Sequence, residues 1–209
     1  MKLVLSTLLG LTGLIAQSYA ALTKGTIQIK GPSWDEGVTL STFFDDYDAD
    51  ILASNALTPL QVQIDLERAQ EVDSDIEILN GFWTDLYRYF GVSARSRNDV
   101  APDSGYAPHI YIGFINVAQT PDAHLQQKEN AFTACYPNGM MELPFQASAI
   151  WRYDPASGGK LTPKILGLNG EPLPVAIHGG TYEGRVGFSA NGNYTQTEVL
   201  EFFFIPAKE

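Results

Sequence analysis

Cysteine is almost absent: Cys135 stands alone among 209 residues. That excludes an internal disulfide framework, so a folded chain must draw its stability from an apolar core. Basic residues are also scarce, with 13 Lys and Arg against 24 Asp and Glu and a net charge of −11. Such a surface repels phosphate backbones and anionic lipid, which discounts nucleic acid and membranes as partners. Beyond the N-terminus no apolar run is long enough to cross a bilayer as a helix. Histidine occurs only at 109, 124 and 178, without the paired spacing of a metal site. Missing too are a G-x-S-x-G elbow, a phosphate loop and a dinucleotide fingerprint, so nothing points to a hydrolase triad or a nucleotide enzyme. Neither a metal nor a cofactor is expected.

What is present begins with a secretory pattern. Lys2 supplies a positive start, Leu3 to Ile15 is a short apolar stretch, and Gln17-Ser18-Tyr19-Ala20 ends in small residues. This predicts a signal peptide over residues 1–20, cut before Ala21, and a secreted product. Ser6, Thr7, Gly10 and Gly13 interrupt the apolar stretch, which argues against a membrane anchor. Removing 20 of 209 residues leaves 189, residues 21–209, enough for a single domain with a full core. Asn193-Tyr194-Thr195 is a glycosylation sequon beside an Asn191-Gly192 turn, which makes Asn193 an expected exposed site.

Composition favours short strands: 44% of residues are hydrophobic, and 19 Gly and 12 Pro supply turns. The clearest alternation runs from Leu60 to Glu67 (LQVQIDLE), with its apolar residues on one face. Asp85 to Ser96 reads as a long strand with Leu86, Arg88, Phe90, Val92 and Ala94 on one face. Tyr87, Tyr89, Gly91, Ser93 and Arg95 take the other. Further strands are predicted at Thr26–Lys30, Ile110–Val117, Ala131–Tyr136, Met140–Trp151, Val175–His178, Arg185–Ser189 and Val199–Ile205. Turns fall at Pro137-Asn138-Gly139, Ser157-Gly158-Gly159, Asn169-Gly170, Gly179-Gly180 and Asn191-Gly192. A short helix is expected between Trp34 and Asn55, and a helical turn within Asp122–Glu129. The rhythm predicts an antiparallel barrel or sandwich. Cys135, inside a predicted strand, reads as a buried, inert thiol.

Asp45-Asp46-Tyr47-Asp48-Ala49-Asp50 is the densest charge in the chain. A calcium loop would need Gly where Ile51 stands and Glu where Leu57 stands, so a solvated acidic loop is the better reading. The aromatic residues say more. Trp83, Tyr87, Tyr89, Tyr111, Trp151 and Tyr153 pair an apolar body with a polar handle, which suits a flat, partly oxygenated ligand or the rim of a core.

Pro174-Val-Ala-Ile-His-Gly-Gly-Thr-Tyr-Glu-Gly-Arg-Val-Gly187 resembles a stretch of the allene oxide cyclase-like and dirigent barrels. Gly179, Gly180, Thr181, Tyr182, Gly184 and Gly187 stand where that family has its glycine-rich turn, although the segment after Thr181 is shorter. Asp85 to Arg95 is similar to an earlier strand of the family, and Cys135 to Met141 to its central hairpin. An insertion stands at Asn98–Asn130. The resemblance implies an all-β fold: a closed, antiparallel barrel of about eight strands whose lumen holds one small ligand. It also implies guided cyclisation or coupling of a reactive unsaturated intermediate without a cofactor. Secreted fungal hetero-Diels–Alderases of tropolone–sesquiterpenoid pathways are a neighbouring comparison.

Three functions remain open at this level. One is a cofactor-independent cyclase or pericyclase acting on a small, apolar, unsaturated molecule in secondary metabolism. The second is a dirigent- or lipocalin-like binding protein, and the third a secreted structural or host-interaction protein. A homodimer is left open. For a cyclase the expected catalytic residues are Tyr87, Tyr89, Arg95 and His178, with Trp83, Tyr111 and Trp151 against the substrate. Such chemistry needs a shaped cavity and a few hydrogen-bond donors rather than acid–base machinery.

Overall fold

The computed structural model describes residues 21–34, 36–44, 49–94, 113–135, 143–179, 186–189 and 198–208. The expected signal peptide, Asp45–Asp48, Arg95, His109, Tyr111, the 137–139 turn, the glycines at 180 and 184, and Asn193 lie outside them. The strands are numbered in chain order. They begin with β1 (Thr23–Lys30), β2 (Val38–Phe44), β3 (Ala49–Ala53), β4 (Gln61–Ile64), β5 (Glu77–Ile78), β6 (Tyr89–Ala94), β7 (Gly113–Val117) and β8 (Gln126–Gln127). They continue with β9 (Phe145–Ala147), β10 (Trp151–Asp154), β11 (Lys160–Pro163), β12 (Ile165–Leu166), β13 (Pro172–Leu173), β14 (Ala176–Gly179), β15 (Val186–Ser189) and β16 (Val199–Pro206). Two short helices, α1 (Leu66–Glu71) and α2 (Ala131–Cys135), interrupt them.

Alternation builds the centre of the fold. Ile27 and Ile29 of β1 are fully buried, as are Phe202 and nearly Phe204 of β16, while Val199 and Ile205 face out. The two strands pair antiparallel from Gly25↔Pro206 to Lys30↔Glu201, which sets Ile27 opposite Phe204 and Ile29 opposite Phe202. Opposed apolar pairs of this kind are the unit of sheet stability. Around them one apolar cluster gathers Leu40, Val62, Ile64, Phe90, Val92, Trp151, Leu161, Ile177, Phe188 and Leu200.

The fold is all-β with mostly antiparallel pairing. Its main sheet is ordered β10-β11-β16-β14-β15-β7-β6-β5-β4-β1-β2-β3, with β8 and β9 attached to β6. It is a curled, open half-barrel rather than the closed barrel that the resemblance implies. β16 also pairs with β1, so the pairings return on themselves. Among the described residues, the β5–β6 and β15–β7 links of that circuit are Glu77↔Tyr89 and Gly187↔Gly113.

Several expected elements are corrected. The alternation at Leu60–Glu67 ends as a strand at Ile64, because the Asp65 carboxylate accepts the Arg68 N–H at 2.9 Å and caps α1. Among the described residues between Trp34 and Asn55 there is no helix, and β2 pairs with β3 from Leu40↔Ala53 to Phe44↔Ala49. Its Val-Thr-Leu-Ser-Thr-Phe-Phe run carries strand propensity throughout. Asp122–Glu129 contains β8 rather than a helical turn. Conversely, the strand expected at Ala131–Tyr136 is α2 over its described part. Asn130 caps that helix: its side chain accepts the Thr133 N–H, and the Thr133 hydroxyl accepts the Asn130 N–H at 2.8 Å. Cys135 therefore ends a helix and is not on a strand. The run Met140–Trp151 breaks into β9 and β10 at Ser148, whose N–H donates to the Thr120 hydroxyl at 2.9 Å.

The turn glycines at 157–159 and 169–170 match expectation. Gly158, Gly159 and Gly170 have φ of 73°, 86° and 84°, the left-handed region that glycine enters without strain. No helix among the described residues is long and apolar enough to cross a membrane.

Candidate functional site

The β6 segment carries most of the candidate residues and is shorter than expected. Asp85 to Tyr87 lies in turns, where Trp83, at a φ of 65°, accepts the N–H groups of Leu86 and Tyr87 at its carbonyl. The strand proper starts at Tyr89. From there the alternation holds: Phe90, Val92 and Ala94 enter the apolar cluster, and Tyr89, Gly91 and Ser93 take the opposite face. That opposite face is not open to solvent, since Ser93 is 3% exposed.

Trp151, expected against the substrate, is a core residue. It is fully buried, stacks on Phe90 at 5.0 Å and 7°, and meets Phe202 at 5.6 Å. Its indole N–H donates to the Phe90 carbonyl at 2.7 Å. Both faces and the polar edge are thus engaged within the protein. Trp83 is half-buried, and its indole nitrogen is enclosed without a hydrogen-bond partner.

Tyr87 is brought into a polar layer. It is buried, with Glu129 and Thr133 beside its hydroxyl. Burial, and then the Glu129 charge, raise its pKa above the ordinary tyrosine value, so the phenol keeps its proton. Thr133 is tied to Asn130, and the Asn130 amide donates to the Ser93 hydroxyl at 2.9 Å. Ser93 in turn stands directly opposite Gln146 of β9. Opposed residues of an antiparallel pair share a face with Cβ atoms about 5 Å apart. Tyr87, Thr133, Asn130, Ser93 and Gln146 therefore form one enclosed polar layer. Gln146 is fully buried, and neither its amide nitrogen nor its amide oxygen has a hydrogen-bond partner.

Tyr89 belongs elsewhere. It is half-buried, and its pKa is raised by burial and then by the nearby carboxylates Asp75 and Glu77. His178, 2% exposed, pairs with Gly187 of β15 and Val199 of β16. Register carries it toward the polar layer, since Gly187 pairs with Gly113 and Gly113 with Ser93. His178, Ser93 and Gln146 thus share one row and one face, separated by two glycines; β3 also lies against β7 and β15. The structure brings Tyr87 to the polar layer and sets His178 in its row. It does not bring Tyr89 or Trp151 there.

Strand parity places Ser93 on the right face, but no pattern in the sequence singles out Gln146 or Asn130 as functional. The available signal for Gln146 is a lone amide inside the apolar run Leu143 to Trp151. Among the described residues no cluster of three or more His, Cys, Asp and Glu could hold a metal ion. His124 bonds instead to Asp122, at 2.9 Å.

Burial pushes the pKa of His178 below the ordinary histidine value. The unfolded chain then binds more protons than the folded one as pH falls below about 6.5. Stability contributed by neutral His178 is present above that pH and lost on acidification, levelling off under the folded-state value. Denaturation midpoints between about pH 5 and 8 should show this slope, and His178→Asn should flatten it. An unaltered slope in the variant would assign the acid sensitivity to other groups.

No protein-family model, no curated protein and no solved structure matches this chain.

Proposed function

We propose that this protein is exported and binds a small, oxygenated, largely apolar molecule at the polar layer around Ser93 and Gln146. The observation that carries the reading is the enclosed amide of Gln146, fully buried with both polar atoms unsatisfied. Desolvating an amide without a compensating hydrogen bond is costly, and buried polar groups that natural folds leave unpaired call for a partner. A bound molecule with a carbonyl or hydroxyl group supplies one. Export rests on the pattern of residues 1–20.

Cyclisation is the second reading, favoured by the kind of donor present. Tyr87 retains its proton, and a Gln146 N–H is a neutral donor in the same layer. Such donors polarise a carbonyl without transferring a proton, which is what ring closure of an already reactive molecule demands. The resemblance of Pro174–Gly187 to the allene oxide cyclase-like and dirigent barrels points the same way. Gly187 of that stretch lies in the row joining His178 to Ser93.

The test is capture followed by turnover. The secreted protein, incubated with a metabolite extract of its own producing cells and freed of unbound material, should release one low-mass oxygenated compound. Tyr87→Phe should retain less of it. Incubating an acyclic precursor of that compound with and without protein then separates binding from cyclisation. Equal rate and equal stereochemistry in both leave binding alone, and an empty eluate ends the reading.

A further inference from the structure

We infer that Gln146 is the specificity-determining residue of this site and that its ligand presents a neutral cis-amide edge, as in a lactam or a primary carboxamide. The inference rests on the binding reading above and names the chemistry of what binds. It starts from which atoms of Gln146 are unsatisfied. Had only the oxygen been orphaned, any hydroxyl would serve; had only the nitrogen been, any carbonyl would. Here both Oε1 and Nε2 are buried and unpartnered, on a residue with no exposed surface. A primary amide offers an acceptor and a donor side by side. The group that answers both at once is another edge with a donor beside an acceptor. Because both atoms are free, the conclusion holds whichever way the amide is turned.

Asn130 does not compete for this role. Asn130 spends its amide N–H on Ser93 and its oxygen on the Thr133 N–H, and its own N–H goes to the Thr133 hydroxyl. Their mutual bonds hold Ser93 and Asn130 in place beside the unspent amide. β9 fixes Gln146 from both sides, pairing it with Ser93 of β6 and Gln126 of β8. A donor–acceptor pair held by sheet register on each flank is preorganised, which favours discrimination over bare affinity. Carboxylic acids carry a similar edge only when protonated. At neutral pH they arrive as anions at a chain of net charge −11, so the neutral amide is the class favoured.

A matched series tests this. Benzamide and δ-valerolactam carry the edge; N,N-dimethylbenzamide and N-methyl-δ-valerolactam have the same skeletons with the donor blocked. Ligand-observed NMR titration of the secreted protein should give Kd values at least tenfold lower for the free amides than for the blocked ones. Gln146→Met, close in length and without the donor–acceptor pair, should erase that preference and leave the unliganded protein at least as heat-stable as wild type. If the variant does not fold, the wild-type series alone settles the question. Equal binding of free and blocked amides, no binding of either, or a preference that survives in the variant would overturn the inference. So would a crystal structure in which ordered water satisfies both Gln146 atoms and stays in place when benzamide is present. If the protein still captures a compound from the extract while failing this series, only the assigned chemistry falls. If it captures nothing, the binding reading falls with it.

Discussion

Trp151→Ala should lower the unfolding free energy by about 3–5 kcal/mol, the range for truncating a large buried aromatic residue. For a chain of this size that corresponds to a drop in Tm of roughly 10 °C. Trp151 is fully buried between Phe90 and Phe202, so its removal opens a void lined by two rings. It also orphans the Phe90 carbonyl that its indole N–H serves. Trp151→Phe keeps a ring on Phe90 and loses the hydrogen bond, for which about 1–2 kcal/mol is expected. Urea denaturation monitored by circular dichroism separates the two variants. A Trp151→Ala protein of unchanged stability would contradict the core placement and make this residue a candidate ligand contact again.

The second large effect is expected at Gly91. A Cβ built there meets the Ala147 carbonyl oxygen and a Val117 methyl, both closer than real Cβ contacts allow. The obstruction is backbone, and it sits where β9 joins β6 through Val92↔Ala147 and Ser93↔Gln146. Gly91→Val should therefore cost about 1–3 kcal/mol through overpacking. It should also speed amide exchange in β9, because the strand must lift to make room. Gly158→Ala is the contrast: φ is 73° but nothing lies within 4 Å of its Cβ, so only backbone strain of about 1 kcal/mol is at stake. Were Gly91→Val no more disruptive than Gly158→Ala, the close approach of β9 to β6 would be in error. The placement of Gln146 opposite Ser93 would then lose its support.

Legibility in the sequence differs by element. β1 and β16 are readable because alternation and burial agree over consecutive residues. The 157–159 turn is readable because two adjacent glycines take a backbone shape that other residues avoid. The α2 segment reads as strand because Phe132, Thr133 and Cys135 have weak helix propensity. The cap that makes it a helix, Asn130 with Thr133, is visible three residues apart. The two faces of β6 separate correctly from Tyr89 onward, since parity follows from strand geometry alone. Below Tyr89, positive φ at Trp83 marks a turn that no residue-type pattern announces.

The amino-acid sequence by itself determined the elements with a local cause. These are the all-β class, the apolar alternation of Ile27, Ile29, Phe202 and Phe204, and the glycine turns at 157–159 and 169–170. Tertiary structure alone decided which way each face of β6 looks, whether the sheet closes, and which polar groups lack partners. Those outcomes depend on pairings between distant segments, such as Gly25↔Pro206 and Ser93↔Gln146. A residue's pattern reveals that it has a buried face, but only the strand laid beside it decides what that face meets. Trp151 became core because Phe90 and Phe202 close on it from two other strands. Gln146 keeps both amide atoms unpartnered although Ser93 stands directly across the ladder.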